Sequence, residues 1–286
     1  MNTIRSAHHE IIQYYDSCEW DYRVIWNTDR SLALHYGFWT DGVRSLLEAQ
    51  RNQNKWLANL AAIDATDRVL DAGCGIGGSS LHLALTRGCK VTGISLSHRQ
   101  IERARKLAAR ENAASTEFQV RDFTNTGFPS GSFSVIWAIE SVCHAADKSA
   151  FLNEAFRLLK KGGRLIIADG FSTQPFKAMR SSDENMMRGW LEPWAVDTLA
   201  TADEFSGAMQ RIGFERVVNR DVTDLIRPSA RRLNTRAQLA TVPANLMYWM
   251  GLRTDIQHGN YLAGKFQWKA LNRNLWHYCV FTARRP

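Results

Sequence analysis

The chain has 286 residues, 45% of them apolar, and a formal net charge of +8. This length suits one large domain or two small ones, and no apolar run approaches the roughly 20 residues that cross a bilayer. The N-terminus lacks the apolar core of a secretory signal, and the five scattered cysteines show no metal-like spacing, so we expect a cytoplasmic protein with reduced thiols and no bound metal. The positive charge is compatible with nucleic acid, an anionic membrane or an anionic small molecule, but no interleaving of basic and aromatic residues predicts a nucleic-acid platform.

Residues 1–60 carry apolar side chains at helical spacing, which predicts a helical N-terminal segment. An aromatic-rich turn, "LALHYGFWTDG", interrupts these helices at residues 32–42. The aromatic and histidine side chains of interest are Tyr14, Tyr15, Tyr22, His35, Tyr36, Phe38 and Trp39. They belong either to an ordinary core or to a cover over a bound ligand.

From Arg68 onwards strand, turn and helix alternate, which predicts a doubly wound α/β fold with a mostly parallel sheet. The predicted strands are "RVLDAG", "KVTGISLS", "TEFQVRDF", "FSVIWAIES", "RLIIADGF", "FERVVNRDV" and "LWHYCVFTARR". Among the predicted helices, "DKSAFLNEAFRLLKKGG" is expected to end at its paired glycines, and Thr201 is expected to cap "TADEFSGAMQRIGF". An insertion before the last strand is too long for a connector. We therefore divide the chain into an N-terminal unit at 1–60, a core at 61–224 plus 275–286, and a helical insertion at 225–274.

The turn after the first predicted strand, "GCGIGG" at residues 73–78, contains four glycines. Glycine has no Cβ, so a ligand can approach the peptide plane, and it tolerates the positive φ of a tight strand-to-helix turn. The following helix would present unpaired N–H groups to an anionic group. A tight turn without a ligand is the alternative. Asp71 just before the turn, and Ser95 rather than an acid after the second strand, disfavour an NAD-dependent oxidoreductase.

The motifs, taken in chain order, resemble those of class I S-adenosylmethionine-dependent methyltransferases. "VLDAGCGIGG" is similar to the first motif of that family, and "QVRDF", "WAIESVCHAADK" and "LLKKGGRLIIAD" follow in the expected order. "VTGISLSHRQI", "WAIESVCHA" and "HYGFW" look closest to the sterol C-methyltransferase, tocopherol methyltransferase and cyclopropane-fatty-acid-synthase groups. The resemblance implies a Rossmann-like fold of seven strands. The last third of the chain matches in layout only, as a cap that selects the substrate.

The resemblance also implies S-adenosylmethionine as cofactor, S-adenosylhomocysteine as product, and residues 1–60 as a lid over both. Asp71 and the glycines would face the methionine end of the cofactor. Ser95 and Gln100 would hold the ribose in place of the usual acid, and Asp122 would hold the adenine amino group. The full set of expected cofactor contacts is Tyr15, His35, Tyr36, Asp71, Gly73, Gly75, Ser95, Leu96, Gln100, Asp122, Phe123 and Ile139.

Glu140 and His144 follow the fourth predicted strand, at the carboxyl edge where the sites of α/β folds lie. We expect Glu140 to stabilise a cation or to anchor a hydrogen bond, and His144 to act as a base or an orienting group. In the alternative, Glu140 bonds only the N-terminal segment and His144 caps the next helix.

The acceptor is predicted from chemistry and from the insertion. Attack by a carbon–carbon double bond needs no base at the outset but leaves a carbocation, whereas an oxygen or nitrogen acceptor usually needs a base. The insertion favours a lipophilic pocket through Leu246, Met247, Tyr248, Trp249, Phe266 and Trp268. We expect C-methylation of an isoprenoid, a terpenoid or a prenylated secondary metabolite, with follow-on carbocation chemistry left open. The alternative is O- or N-methylation of an aromatic or glycosylated secondary metabolite, with His144 as base.

Arg227, Arg231, Arg232 and Arg236 form one concentrated basic run, and Pro228 suggests a helix start nearby. These arginines either grip an anionic group of the substrate or lie in solvent. We expect a small-molecule partner, no nucleic acid and no integral membrane association, and leave homo-oligomer formation open. A nucleic-acid methyltransferase is disfavoured because no acceptor-base motif is evident, and a cofactor binder without catalysis is also disfavoured.

Overall fold

A seven-stranded sheet forms the centre of the computed structural model, which describes residues 2–25 and 28–286. The strands are β1 (Arg68–Ala72), β2 (Lys90–Ser95), β3 (Thr116–Val120), β4 (Phe133–Ile139), β5 (Leu159–Ser172), β6 (Glu215–Asp221) and β7 (Trp276–Arg284). They lie in the order β3-β2-β1-β4-β5-β7-β6. β7 runs antiparallel to β5 and β6, whereas the pairs among β1 to β5 are parallel. The expected mostly parallel α/β fold is confirmed.

Helices cover both faces of this sheet. They are α1 (Asn2–Ser17), α2 (Glu19–Ile25), α3 (Thr28–Ser31), α4 (Leu46–Leu60), α5 (Gly78–Arg87), α6 (His98–Arg110), α7 (Lys148–Leu158), α8 (Ser181–Leu191), α9 (Ala202–Ile212), α10 (Thr223–Leu239), α11 (Thr241–Trp249) and α12 (Asp255–Asn272). Val135 and Trp137 of β4 enter a core with α4, α5, α8, α10 and α12, while Ile136 and Ala138 enter a second core with α7 and α9. Alternate residues of one strand are thus buried on opposite faces, which is why the strand reads as a continuous apolar run.

The helix before β5 ends earlier than expected. α7 stops at Leu158, and Leu159 is already extended, so the expectation that the helix runs to its paired glycines is wrong. Gly162 and Gly163 instead belong to β5, where they exchange backbone hydrogen bonds with Arg285. Gly162 has φ +73°, a value that permits the irregular strand pairing here. By contrast, Thr201 caps α9 through its side chain, as expected.

The insertion before β7 consists of α10, α11 and α12. α10 begins at Thr223 and contains Pro228 in its interior, so the proline does not mark the helix start. A helix that the sequence pattern did not predict, α8, follows β5 and packs on α12. All five cysteine thiols are free. Within residues 2–25 and 28–286, none of the helices is both long enough and apolar enough to pass through a membrane.

A buried ion pair fastens the N-terminal helices to the insertion. Arg253, just before α12, donates to both carboxylate oxygens of Asp21 in α2, at 3.1 and 2.6 Å. The exposed fractions of these side chains are 11% and 5%. Asn260 of α12 donates to the same carboxylate at 3.3 Å. Burial protects this pair from screening by salt, and loss of either partner would leave the other charge buried and uncompensated.

We expect Arg253→Met to lower the free energy of unfolding by about 3 kcal/mol, because Asp21 would stay buried without its partner. The matched control is Arg273→Met, which removes the pair with Asp183, where the arginine side chain is 53% exposed. That loss should stay below about 1 kcal/mol. Urea denaturation followed by fluorescence measures the free energy of unfolding of both variants. Equal losses would contradict the role assigned to the buried Asp21–Arg253 pair.

Candidate active site

The glycine turn lies between β1 and α5, beside the point where the strand order reverses between β1 and β4. In doubly wound folds, ligands bind at that point. Gly73 has φ +96°, and a Cβ there would lie 2.3 Å from the Cβ of Ser141. A Cβ on Gly78 would lie 1.9 Å from the carbonyl oxygen of Leu32. The fold itself therefore requires these two glycines.

Gly75 differs from its neighbours in the turn. Its φ is +53°, and a Cβ there would meet only Leu34 Cδ1, at 3.8 Å. The absence of a side chain at Gly75 therefore leaves open space, and no neighbouring protein atom fills it. Asp71, at the end of β1, accepts a hydrogen bond from Ser80 Oγ at 2.6 Å. Burial raises the pKa of Asp71 to about 7, although the Ser80 hydrogen bonds oppose that rise.

A first cavity of about 200 Å³ opens over this turn. The structure brings together there almost all of the residues expected to contact the cofactor; they are Tyr15, His35, Asp71, Gly73, Gly75, Ser95, Leu96, Gln100, Asp122, Phe123 and Ile139. Glu140 and His144 also line it. Tyr36 does not, and lines a second cavity instead.

Polar side chains beyond β2 and β3 form one end of the first cavity. Ser95 Oγ donates to Gln100 Oε1 at 2.7 Å and accepts from the Ser97 N–H at 3.2 Å. Asp122 accepts hydrogen bonds from the backbone N–H and the hydroxyl of Thr124, at 2.7 to 2.8 Å. Hydroxyl and carboxylate oxygens therefore lie at the end of the cavity away from Asp71.

α1 covers the first cavity, contributing His8, Ile11, Ile12 and Tyr15 to its lining. Polar contacts hold the helix at the rim. Ser97 Oγ donates to Asp16 Oδ1 at 2.9 Å, and His8 Nε2 lies 3.4 Å from Asp122 Oδ2.

Glu140 separates the first cavity from the second and lines both. Its φ is +48°, which is unusual for a residue with a side chain and is found at functional sites. Its Oε1 accepts from the Tyr36 N–H at 2.9 Å and from the Tyr278 hydroxyl at 2.8 Å. Burial raises the pKa of Glu140 well above its usual value. Glu140 therefore makes the expected hydrogen bond to the N-terminal segment, and its carboxyl group also faces both cavities.

His144 lies beside Glu140 with both ring nitrogens engaged. Nδ1 is 3.1 Å from the Ala195 carbonyl oxygen and Nε2 is 2.9 Å from the Tyr15 hydroxyl. Because a carbonyl only accepts, Nδ1 carries the proton and Nε2 accepts from Tyr15. Burial lowers the pKa of His144 to about 4. The cap of α7 is Asp147, so the alternative that His144 caps the next helix is wrong.

The second cavity, of about 70 Å³, has mainly aromatic walls. Its rings are Tyr14, Tyr15, Tyr22, Tyr36, Trp190, Trp194, Trp276 and Tyr278. It shares Tyr15, Leu34, Glu140 and His144 with the first cavity, so the two adjoin at these side chains. Its described lining includes no lysine or arginine.

A second carboxyl faces this aromatic cavity. Asp169 accepts from the backbone N–H groups of Cys143 at 2.9 Å and Gly170 at 2.8 Å, and burial raises its pKa. Sequence reasoning missed Asp169, although an acid that ends an apolar strand at the carboxyl edge was an available signal. It also missed the tryptophans of α8 and the turn that follows.

The insertion does not form the walls that the sequence indicated. Among the described residues that line the two cavities there is none of Leu246, Met247, Tyr248, Trp249, Phe266 and Trp268. Phe266 and Trp268 pack against the core, while α11 is largely exposed. The basic run, Arg227, Arg231, Arg232 and Arg236, also lines neither of these cavities. The expectation that these six side chains of the insertion line a lipophilic pocket is therefore wrong for both cavities.

Known proteins with similar sequences and folds are methyltransferases. A family model described as a methyltransferase domain matches residues 70–167. The 27-O-demethylrifamycin SV methyltransferase of Amycolatopsis mediterranei (strain S699) is 34% identical over 197 residues, which cover 68% of this chain and 71% of the relative. A sterol 24-C-methyltransferase of Gibberella zeae is 30% identical over 184 residues, covering 64% of this chain and 48% of the relative.

A solved structure shows the same fold. Geranyl diphosphate C-methyltransferase from Streptomyces coelicolor A3(2), in complex with Mg²⁺, geranyl diphosphate and S-adenosyl-L-homocysteine, has a TM-score of 0.75 at 20% identity, over 98% of each chain. The fold, the motif order and these relatives agree. The chain belongs to the class I S-adenosylmethionine-dependent methyltransferases, in the group of the sterol and tocopherol methyltransferases, and S-adenosylmethionine is its cofactor.

Proposed function

We propose that the protein methylates a carbon–carbon double bond of a small, lipophilic, isoprenoid or prenylated acceptor. The cofactor would occupy the first cavity and the acceptor the second. The observation that carries this proposal is the aromatic second cavity, which adjoins the first at Glu140 and contains two carboxyl groups, Glu140 and Asp169, and no described cationic side chain. Two of the similar proteins named above are C-methyltransferases.

The first cavity fits S-adenosylmethionine in two respects. Gly75 leaves open the space that a Cβ would fill. His35 Nε2 is buried and has no hydrogen-bond partner among the described residues, while its Nδ1 faces the Tyr36 carbonyl oxygen at 2.5 Å. Nδ1 therefore carries the proton, and Nε2 is left to accept from a donor of the ligand.

We assign the expected roles to the residues of the first cavity on this basis. Gly73, Gly75 and Asp71 would hold the methionine end, Ser95 and Gln100 the ribose, and Asp122 the adenine. Tyr15, Leu96, Phe123 and Ile139 would pack against the bound cofactor, with His35 accepting from it, whereas Tyr36 would act on the acceptor side. When bound, S-adenosylmethionine supplies an electrophilic methyl group on a sulfonium. Positioning an acceptor in line with that group can lower the barrier by roughly 7–11 kcal/mol.

The side chains of the second cavity suit a positive charge that develops on the acceptor. A double bond that gains the methyl carbon becomes a carbocation, which then loses a proton to a base. Aromatic faces such as those of Trp190 and Tyr36 attract a cation. The carboxyls of Glu140 and Asp169 lie in the same wall, and a cation beside them favours their ionised form. His144 Nε2 is unprotonated and would take the proton after displacement of the Tyr15 hydroxyl that donates to it.

Two indole groups indicate a further chemical group that the acceptor carries. Trp190 Nε1 and Trp194 Nε1 are buried and have no hydrogen-bond partner among the described residues. Buried donors are normally paired, so we propose that the acceptor carries a neutral oxygen that accepts from them. A diphosphate is disfavoured here because the described lining offers no lysine or arginine. The residues the structure describes also contain no cluster of three or more histidine, cysteine or acidic side chains that would hold a metal ion.

His144 favours O-methylation as a second candidate. Its unprotonated Nε2 lines both cavities and can accept a proton from an acceptor hydroxyl in place of the Tyr15 hydroxyl. A hydroxyl acceptor would then need no other base.

We expect Gly75→Ala to weaken S-adenosylhomocysteine binding on the order of tenfold, because the new methyl would occupy ligand space. The matched control is Gly42→Ala. Gly42 also has positive φ, +85°, with nothing within 4 Å of its Cβ position. Both changes should cost about 1 kcal/mol of stability from backbone strain, but only the first should change the calorimetric dissociation constant. Unchanged binding in Gly75→Ala would contradict the assignment of Gly75 to the cofactor site.

We expect neutral prenylated alcohols, sterols or quinols to be methylated at carbon, with prenyl diphosphates poorer. Glu140→Gln should lower kcat by about 10²-fold with little change in KM, because it removes the charge that stabilises the cation. Wild-type turnover should also fall as the pH drops through the raised pKa of Glu140, since protonation removes the carboxylate. Glu140→Asp is the control that keeps a carboxyl group, and it should lose less activity than Glu140→Gln. Product mapping that finds methyl groups only on oxygen or nitrogen would contradict the assignment.

If a hydroxyl is the acceptor, His144→Gln should lower kcat/KM by about 10²- to 10⁴-fold. Burial keeps the pKa of His144 at about 4, against an ordinary 6.5. The imidazole is therefore unprotonated at neutral pH, and the rate should fall only as the pH drops towards 4. Unchanged kcat/KM in His144→Gln would argue against this base, whereas a wild-type inflection near pH 6.5 that disappears in His144→Gln would contradict only the lowered pKa.

A further inference from the structure

The surface of α11 is unusually apolar for an exposed helix. Of eleven exposed large apolar side chains among the described residues, eight lie between residues 239 and 252. They are Leu239, Val242, Leu246, Met247, Tyr248, Trp249, Met250 and Leu252. This stretch contains no charged residue. We call these eight side chains the α11 surface. A concentration of this kind marks an interaction site rather than scattered exposure.

Basic side chains flank the α11 surface. Arg231 and Arg232 are exposed in α10, which leads directly into α11. Residues 223–272 contain seven lysines and arginines and two aspartates, so this segment supplies +5 of the chain's net +8. The α11 surface is therefore a small apolar patch within a net positive segment of the sequence.

We propose that the α11 surface docks on an anionic lipid bilayer. Short helices with an apolar face, interfacial tryptophan and tyrosine, and flanking arginines lie in the boundary between headgroups and acyl chains. The anionic headgroups attract the arginines at the same time. A second copy of the chain fits less well, because a two-fold contact through α11 would bring the arginines of both copies together. The helix has nine residues, which suits lying in the interface.

The surface lies one helix layer away from the second cavity. α11 packs on α12, and α12 packs on α8. Phe266 of α12 lies against Gly189 of α8, next to Trp190 in the cavity wall. If the proposed function holds, docking would bring the acceptor cavity close to a lipid phase that dissolves the acceptor. The docking itself does not depend on which acceptor is methylated.

Vesicle flotation tests the proposal on the full chain with no acceptor present. We expect binding to phosphatidylcholine vesicles that contain phosphatidylglycerol, much weaker binding to phosphatidylcholine alone, and loss of binding as salt rises. The double variant W249S/L252S removes exposed apolar area. The double variant R231Q/R232Q removes two charges. Each should weaken vesicle binding on the order of tenfold.

Two variants elsewhere serve as controls. Leu85→Ser removes an apolar side chain that is 54% exposed on α5, and K160Q/K161Q removes two exposed charges from β5. Both should bind vesicles like wild type. The proposal is overturned if wild type stays unbound, or if the α11 variants bind as well as the controls. It is also overturned if sedimentation in the absence of lipid shows a dimer that W249S/L252S dissociates. Failure of methyl transfer alone would leave the vesicle result unaffected, so the two proposals are tested separately.

Discussion

The position of one carboxyl group, that of Glu140, determines how the two cavities meet. Its backbone adopts φ +48° and donates to the Ala168 carbonyl at 2.8 Å, which aligns the end of β4 with β5. Its side chain joins the Tyr36 N–H, from the N-terminal segment, to the Tyr278 hydroxyl of β7. Three segments far apart in sequence are thus fixed around one oxygen atom. Leaving a buried donor unpaired costs about 1–3 kcal/mol, so displacement of this carboxyl would disturb the N-terminal segment and the last strand together. The strained backbone is maintained by these contacts and places the carboxyl between the cavities.

Burial disfavours the charged form of each titratable group around the Glu140 carboxyl. It raises the pKa of Glu140 and Asp169 and lowers that of His144 to about 4. The positive charge of the bound sulfonium, which passes to the acceptor together with the methyl group, lowers the cost of keeping these carboxyls ionised. The attraction between this positive charge and the carboxyls is stronger in the site than in water, because the high dielectric constant of water weakens it. The low charge density of the site also suits an apolar acceptor. The electrostatics and the aromatic walls therefore favour the same class of substrate.

Sequence reasoning was successful where a property is local in the chain. The alternation of strands and helices, the capping by Thr201 and the polar residues at strand ends each depend on neighbours within a few positions. The first cavity is built from such strand ends, so nearly all of its predicted residues lie together. The end of α7 was misjudged because a glycine pair is also suited to a strand irregularity, and only contact with Arg285 decides between the two. The second cavity is formed by α8 and β7, which long-range packing brings together. Nothing local distinguishes Trp190 in its wall from Trp249 on the surface.

The ion pairs that hold α2 differ in their exposure to solvent. On the side of the insertion, the Asp21–Arg253 pair is buried, so loss of either partner would leave an uncompensated charge. Between α2 and α6, the Arg99–Glu19 pair is substantially exposed, and such a pair contributes at most about 1 kcal/mol. The position of α2 therefore depends more on its contact with the insertion than on its contact with α6.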